Sequence, residues 1–175
     1  FNQPSITKWN LARFAESLIP LIDKNKDKAI KIATETINSF EKDYEIKWLN
    51  MMRDKLGLFG EDSKDQVLIL DLLTWMHQNK VDYTNTFCFL MNEKIYDDAS
   101  YKTENFLIWK KRWEERLKIN NNTKEKYLSL MRSVNPLVIP RNHIVEDVLA
   151  AADKNDLDPL IRLNKILNKP YVNQD

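Results

Sequence analysis

Apolar side chains recur every three or four residues along most of the chain, the spacing that places them on one face of an α-helix. The stretches with this spacing are 11–22, 30–51, 67–76, 106–117, 127–131, 145–152 and 160–167. No stretch shows the strict alternation of apolar and polar residues that marks a half-buried strand. With a further short helix expected from Asp82 or Thr84 through Leu90, the chain is predicted to have an all-α fold of about eight helices.

Capping and terminating residues indicate where these helices begin and end. Gly57 follows the longest apolar stretch and suits the C′ position, where glycine readily adopts left-handed backbone angles. Ser63 and Gln66 have the spacing of a capping box. Pro20 is expected to end or kink the first helix, and Pro170 to end the last. The other predicted helix starts are Ser5 or Thr7, Asp82 or Thr84, Thr103, Thr123, Asn142 and Asp158, and a polar loop is predicted at 120–122.

A link framed by two prolines precedes one of these helices. Pro136 and Pro140 each fix φ, and each disfavours helical geometry in the residue before it, so the run between them is expected to be extended. The link delivers Arg141 and His143 to a helix N-terminus, with Asn142 as the predicted cap. There the pair can meet a phosphate or an acidic loop. Alternatively, Arg141 forms an internal salt bridge and His143 hydrogen-bonds a carbonyl.

Length and charge restrict the class of protein. The chain has 175 residues, with 27 basic and 26 acidic side chains and a net charge of +1. This length favours one domain over residues 1–175. Balanced charge disfavours a nucleic-acid partner, and no apolar run is long enough for a membrane-spanning helix. The single cysteine excludes an internal disulfide and a multi-cysteine zinc site, and it fits a reducing, cytoplasmic location.

Glycine is scarce, which bears on nucleotide binding. The two glycines, Gly57 and Gly60, lie in one short loop. A loop that cradles phosphates needs several glycines, because backbone N–H groups must approach the phosphate oxygens closely. The sequence also lacks an Asp-Phe-Gly string that would hold Mg²⁺. We therefore assign no catalytic residue to this chain, and we keep Arg141 and His143 as its only candidate nucleotide contacts.

Two other groups of polar residues have a functional and a structural interpretation. His143 and Glu146 are three residues apart on a helix, but the other histidine, His77, is distant in sequence, so a metal site is not expected. Asp82 and Asn85 suggest acid–base chemistry, yet Asp82 as a helix N-cap explains the pattern better.

The cysteine and the tryptophans also allow two interpretations. Cys88 lies in an apolar run, where a buried side chain is favoured over a reactive thiol. The tryptophans can stack on nucleotide bases, but helical spacing favours core positions for Trp109 and Trp113. Near the N-terminus, Ile6 and Trp9 either dock on preceding structure or belong to a frayed end. The five tryptophans are Trp9, Trp48, Trp75, Trp109 and Trp113.

Several strings in order along the chain resemble one known family. Residues 135–146, NPLVIPRNHIVE, resemble its "NPxxIPRNHxVE", and residues 2–16 resemble its "NQPxIxxWNLxRLAE". Residues 48–58 and 82–87 are similar to its "WxxxMxxKLGL" and "DYTxTF", and 156–171 to its "GDxxPxxxLLxxLxxPY". The family is selenoprotein O, also called YdiU-like, the kinase-like protein adenylyltransferases.

The resemblance implies a function for a larger protein. Family members transfer AMP from ATP, with Mg²⁺, to Ser, Thr or Tyr of protein substrates. The parts that do so lie upstream of the string that residues 2–16 resemble. The chain is thus expected to be the C-terminal helical part of a protein-kinase-like fold, supporting that core and inactive alone. Its partners would be the upstream core and the protein substrates. The chain departs from the family in two places: Cys88 stands where members commonly have an arginine, and the chain stops at Asp175, before the family's redox tail. The roles of that arginine and of that tail are therefore not carried over to this chain.

A second hypothesis needs no catalytic parent. An all-α chain without a phosphate loop can serve as a stand-alone helical module that binds a protein partner in a groove lined by aromatic residues. Upstream glycine-rich and Mg²⁺-binding motifs in the reading frame would favour the enzyme, and their absence would favour the module.

Overall fold

The computed structural model describes residues 3–91, 99–119 and 123–172, and within them it contains eight α-helices and no strand. The helices are α1 (Gln3–Ile22), α2 (Lys26–Lys55), α3 (Asp65–Asn79), α4 (Tyr83–Leu90), α5 (Glu104–Lys118), α6 (Lys124–Val134), α7 (Asn142–Ala152) and α8 (Asp158–Leu167). A 3-10 helix covers Ala99–Lys102. The predicted all-α fold is confirmed, and the predicted loop at 120–122 lies outside the described residues. None of these helices is both long and apolar enough to cross a membrane.

The chain divides into two compact units, with the boundary between Met51 and Met52. Unit 1 contains α1 and most of α2, joined by a turn in which the Asn25 side chain accepts a hydrogen bond from the Lys28 N–H at 3.1 Å. Lys8 and Glu41 form an ion pair of 3.0 Å between its two helices. Among the described residues of unit 1, only Ala29 is fully buried. Two helices alone therefore give this unit very little core.

The start of α1 differs from the sequence prediction, whereas its end at Ile22 matches the end of the predicted apolar stretch 11–22. The helix begins at Gln3, so Ser5 and Thr7, the two predicted caps, both lie inside it. Pro20 also lies inside α1, which continues for two more residues to Ile22. A proline so close to the C-terminus removes only one helical hydrogen bond, and the helix tolerates it there.

Unit 2 has an aromatic core in which α3 packs against α5. Phe106 and Trp75 lie with ring centroids 4.5 Å apart, and Trp109 stacks on Trp113 at 6.1 Å. Both α5 tryptophans donate hydrogen bonds to distant carbonyls, Trp109 to Leu68 at 2.8 Å and Trp113 to Leu56 at 2.9 Å. The prediction that these two tryptophans belong to the core is confirmed, because each is almost wholly buried and its polar edge is satisfied.

Three helices end in the same type of turn. Gly57, Lys80 and Asn155 have φ of 69°, 54° and 62°, and each follows the end of a helix. At each end the left-handed residue and the next one donate to carbonyls of the last helical turn, as in a Schellman motif. The predicted role of Gly57 is confirmed. The other two ends were not predicted, because neither carries the expected glycine.

Several helix starts are shifted from their predicted positions. Lys64 precedes α3 without a side-chain cap, so the predicted capping box of Ser63 and Gln66 does not form. The N-cap of α7 is Arg141 and not Asn142. The N-cap of α8 is Leu157 and not Asp158. Each of the last two shifts is one residue, and the predicted starts at Thr103, Thr123 and Asp82 are confirmed as N-cap positions.

Candidate functional site

The candidate residue Arg141 is held by a carboxylate of another helix. Its two terminal nitrogens donate to Asp82, Nη1 to Oδ2 at 2.6 Å and Nη2 to Oδ1 at 3.1 Å. Asp82 also caps α4, since its Oδ1 accepts from the Asn85 N–H at 2.8 Å. One carboxylate therefore fixes the N-terminus of α4 and ties it to the start of α7. The structural interpretations of both residues, an internal salt bridge and an N-cap, are confirmed.

The electrostatics of Asp82 follow from these contacts. The hydrogen bond from Arg141 is the main cause that lowers the pKa of the Asp82 carboxyl below its usual value. Partial burial opposes this shift, and the backbone N–H of Asn85 adds to it. Asp82 is therefore ionised at neutral pH, and so is Arg141. This pairing occupies both terminal nitrogens of the guanidinium group that would contact a phosphate.

His143 is the second residue of α7 and has a different environment from Arg141. Its side chain is exposed, and it makes no hydrogen bond or ion pair with the described residues. The hydrogen bond to a carbonyl that the sequence suggested is thus not found in the described part of the chain. A nucleotide contact by Arg141 or His143 stays a prediction.

A lysine that the sequence analysis missed lies beside α4. The Lys55 ammonium is 4.8 Å from the ring centroid of Phe87 and 5.5 Å from that of Tyr83. Burial lowers the pKa of Lys55, and the proximity of Cys88 opposes that shift. Aromatic faces attract a cation through the ring quadrupole, which offsets part of the desolvation. Lys55 is the last residue of α2, and no local pattern marks it as different from other lysines at helix ends.

Cys88 itself is buried, with 4% of its surface exposed, as the structural interpretation predicted. Its neighbours Lys55 and Arg141 are both cationic and both interact with it electrostatically. A thiol at this depth has little access to solvent, so these cations do not make it a reactive nucleophile in the folded chain.

The strongest polar cluster lies elsewhere, around the fully buried Asp65. Arg116 donates from Nε to Oδ1 at 2.7 Å and from Nη2 to Oδ2 at 3.1 Å, and Arg53 donates from Nε to Oδ2 at 2.7 Å. The Asp62 N–H adds a bond of 3.0 Å. Burial alone would raise the pKa of Asp65, but the hydrogen bonds from Arg116 and Arg53 outweigh it and the pKa lies below its usual value.

This cluster joins the α2–α3 loop to α5. Arg116 also donates to the Phe59 and Gly60 carbonyls, at 3.3 and 3.1 Å. The Asp65 carboxylate accepts the four hydrogen bonds given above, so the arrangement suits a structural role. No local pattern marks this cluster, since an aspartate in the first turn of a helix is common at exposed positions.

A metal site is not seen in the part of the chain that the structure describes, where no three His, Cys, Asp or Glu side chains are grouped closely enough to hold an ion. These residues therefore offer no metal site built from protein side chains alone.

Unit 1 exposes large apolar side chains along α1: Ile6, Trp9, Phe14 and Leu21. Trp9 is 62% exposed, with the Arg13 guanidinium 5.8 Å from its ring centroid.

Comparison with known proteins gives a consistent result along the chain. The family model described as "Protein adenylyltransferase SelO" matches residues 1–168. "Protein nucleotidyltransferase YdiU" of Pelagibacter ubique is 56% identical over 171 residues, which are 98% of this chain and 35% of the relative. The proteins of the same name from Alcanivorax borkumensis and Nitrosococcus oceani are 50% and 45% identical over 175 residues, 99% of this chain and 36% of each relative. The chain thus spans about a third of the length of these relatives.

Proposed function

Since this chain belongs to the SelO family of protein adenylyltransferases, we propose that it is the C-terminal helical region of a protein nucleotidyltransferase. In that protein, AMP would pass from ATP to Ser, Thr or Tyr hydroxyls of protein substrates. The observation that carries the proposal is the match over residues 1–168 to relatives of which the chain covers about a third. The remaining two thirds of those relatives have room for the nucleotide site.

The polar groups of unit 2 support a structural role for this region. Arg141 and Asp82 satisfy each other, and Asp65 is enclosed by Arg53 and Arg116. ATP and Mg²⁺ would therefore bind outside the described residues, which offer neither a glycine-rich loop nor a metal-ligand cluster. In the proposed enzyme, this region would support the upstream kinase-like core.

The exposed face of α1 supports a partner for unit 1. Ile6, Trp9, Phe14 and Leu21 lie within about 140° of one another around the helix axis, at 3.6 residues per turn. A face this apolar is costly in water and usually covers, or is covered by, other protein surface. In the proposed enzyme the covering surface would be the upstream kinase-like core.

A reconstitution assay tests the proposal. Labelled ATP with Mg²⁺ is mixed with this chain, with the full-length Pelagibacter ubique relative, and with that relative lacking the matching region. We expect label on protein with the full-length relative only, and partial recovery when this chain is added to the shortened relative. Transfer by this chain alone would contradict the proposal, and so would full activity of the shortened relative.

A stand-alone interaction module is the second candidate, favoured by the same exposed α1 face. The two candidates predict different activity of the shortened relative and different binding of this chain to it. If that protein stays fully active and does not bind this chain, the face serves some other protein. Binding of the chain to the shortened relative would instead favour the enzyme, and Trp9→Lys should weaken that binding.

A further inference from the structure

The link between α6 and α7, residues 135–141, forms hydrogen bonds with neighbouring parts of unit 2 at three points. Asn135 donates from Nδ2 to the carbonyls of Lys55 and Met131, both at 2.9 Å. The N–H groups of Leu137 and Val138 donate to the Pro170 carbonyl, at 2.7 and 3.3 Å. Arg141 then binds Asp82 through two nitrogens. The middle point joins the link to the segment after α8, and the two outer points join it to α2, α6 and the start of α4.

The helices that follow the link have little buried surface of their own. Among the described residues from 142 to 172, Val148 is the only buried side chain, and it remains 6% exposed. The packing of α7 is mainly against α8. These two helices therefore hold each other better than they hold the remainder of unit 2, where α3 and α5 share a closed aromatic core.

Segments with few buried contacts open at lower free energy than the core, often as one cooperative piece. We propose that α7 and α8 detach from unit 2 together, as a hinged hairpin, and that the Asp82–Arg141 ion pair is the latch that keeps them docked. The two prolines stiffen the link, so motion concentrates at its ends. Asn135, which is buried and bonded to α2 and α6, marks the fixed end of the hinge.

The ion pair suits a latch because it is strong and still reachable by water. Bidentate pairing of arginine with a carboxylate is among the stronger polar contacts in proteins. Both side chains remain about one-third exposed, at 36% and 34%, so breaking the pair leaves neither charge stranded in the core. The pair can therefore open without unfolding α4 or α5.

Hydrogen exchange measured by mass spectrometry on the 175-residue chain tests the latch. Asp82→Asn keeps an oxygen that can cap α4 but removes the charge that Arg141 needs. We expect the amides of 142–170 to exchange at least roughly tenfold faster, while those of 65–79 and 104–118 keep their protection. Arg141→Gln should act in the same way. Unchanged exchange at 142–170, or an equal rise in all helices, would overturn the proposal.

Two comparisons separate a latch from general destabilisation. Arg112→Gln breaks a 2.6 Å ion pair with Asp71 on the α3–α5 surface and should leave exchange at 142–170 unchanged. The double variant of Asp82→Asn with Arg141→Gln should exchange no faster than the faster single variant, because both changes remove one interaction. Additive effects in the double variant would show that the residues act separately and would refute the latch.

Discussion

At the residue scale, the cost of neutralising a charged side chain depends on whether its partner is buried or exposed to water. Asp65 is fully buried and is surrounded by two guanidinium groups and a backbone N–H, all within 3.1 Å. Asp71 forms a pair of similar length with Arg112 at the surface. Removing one member of a buried pair leaves a charge without solvent or partner, whereas water replaces a lost surface partner.

Asp65→Asn should therefore be severe. It removes the counter-charge of the buried Arg116 and one of those of Arg53, which also pairs with Glu61 at 3.4 Å. We expect the free energy of unfolding to fall by about 3–5 kcal/mol. Asp71→Asn, as the matched surface control, should cost less than about 1 kcal/mol. Urea unfolding followed by tryptophan fluorescence measures both, and equal losses in the two variants would contradict this account.

The same carboxylates set the acid sensitivity of unit 2. The pKa values of Asp65 and Asp82 are lower in the folded chain than usual, so both groups stabilise the fold fully above an unfolded pKa of about 3.9. Their contribution is lost as the pH falls further, through the folded pKa values. Urea midpoints measured from pH 6 down to pH 2.5 should fall steeply below about pH 4. Asp82→Asn should make that fall shallower, and a fall of unchanged steepness would exclude Asp82 as a cause.

At the scale of the elements, the helix ends are specified by backbone geometry more than by residue type. Three helices end with a left-handed residue, yet only Gly57 is a glycine, while Lys80 and Asn155 adopt the same conformation at a steric cost. At Gly57 a side chain would also meet neighbours, since an added Cβ would lie 3.0 Å from the Tyr127 Cβ and 3.1 Å from the Tyr127 carbonyl oxygen.

Substitutions at two of these ends should act in opposite directions. Gly57→Ala combines backbone strain with the contact to Tyr127, and we expect it to lower the free energy of unfolding by about 1–2 kcal/mol or more. Lys80→Gly relieves strain, and after the extra entropy of glycine in the unfolded chain it should raise stability by up to about 1 kcal/mol. Thermal unfolding of both variants beside the parent chain checks the signs, and a gain in Gly57→Ala would refute the packing argument.

At the scale of the whole molecule, the two units differ in how much they bury. Unit 2 has a closed core of aromatic and aliphatic side chains, whereas the described part of unit 1 buries only Ala29 and leaves a cleft of about 930 Å³ between α1 and α2. Apolar residues such as Ile19, Ile30 and Ile37 line that cleft. Two amphipathic helices with open apolar faces need further surface to be stable.

The isolated chain should therefore associate with itself through α1. We expect its apparent mass in light scattering to rise with concentration, because apolar faces that lack a partner bury one another. Trp9→Lys with Phe14→Lys should abolish this rise, and Ile161→Lys, at an equally exposed position on α8, should leave it in place. If association responds to Ile161→Lys and not to the α1 changes, the self-associating surface lies on unit 2 and this account is wrong.

The sequence predicted the elements better than the site. Helical spacing, Gly57 and the N-cap Asp82 were each visible in a few neighbouring residues, and the structure agrees with them. The shifted caps at Asn142 and Asp158 show the limit of such local signals, since a helix start one residue earlier or later offers nearly the same hydrogen bonds. Lys55 and Asp65 gave no local signal at all.

What the sequence determined by itself is therefore the class of fold and the family, because both are carried by patterns within short stretches and by their order along the chain. Only the tertiary structure decided which charges meet. Asp82 and Arg141 are 59 residues apart, and Asp65 and Arg116 are 51 apart. Pairing at such distances depends on how whole helices pack, and a short window of sequence contains no information about the packing partner. The same packing pairs Arg141 with the Asp82 carboxylate and so joins the start of α7 to the start of α4.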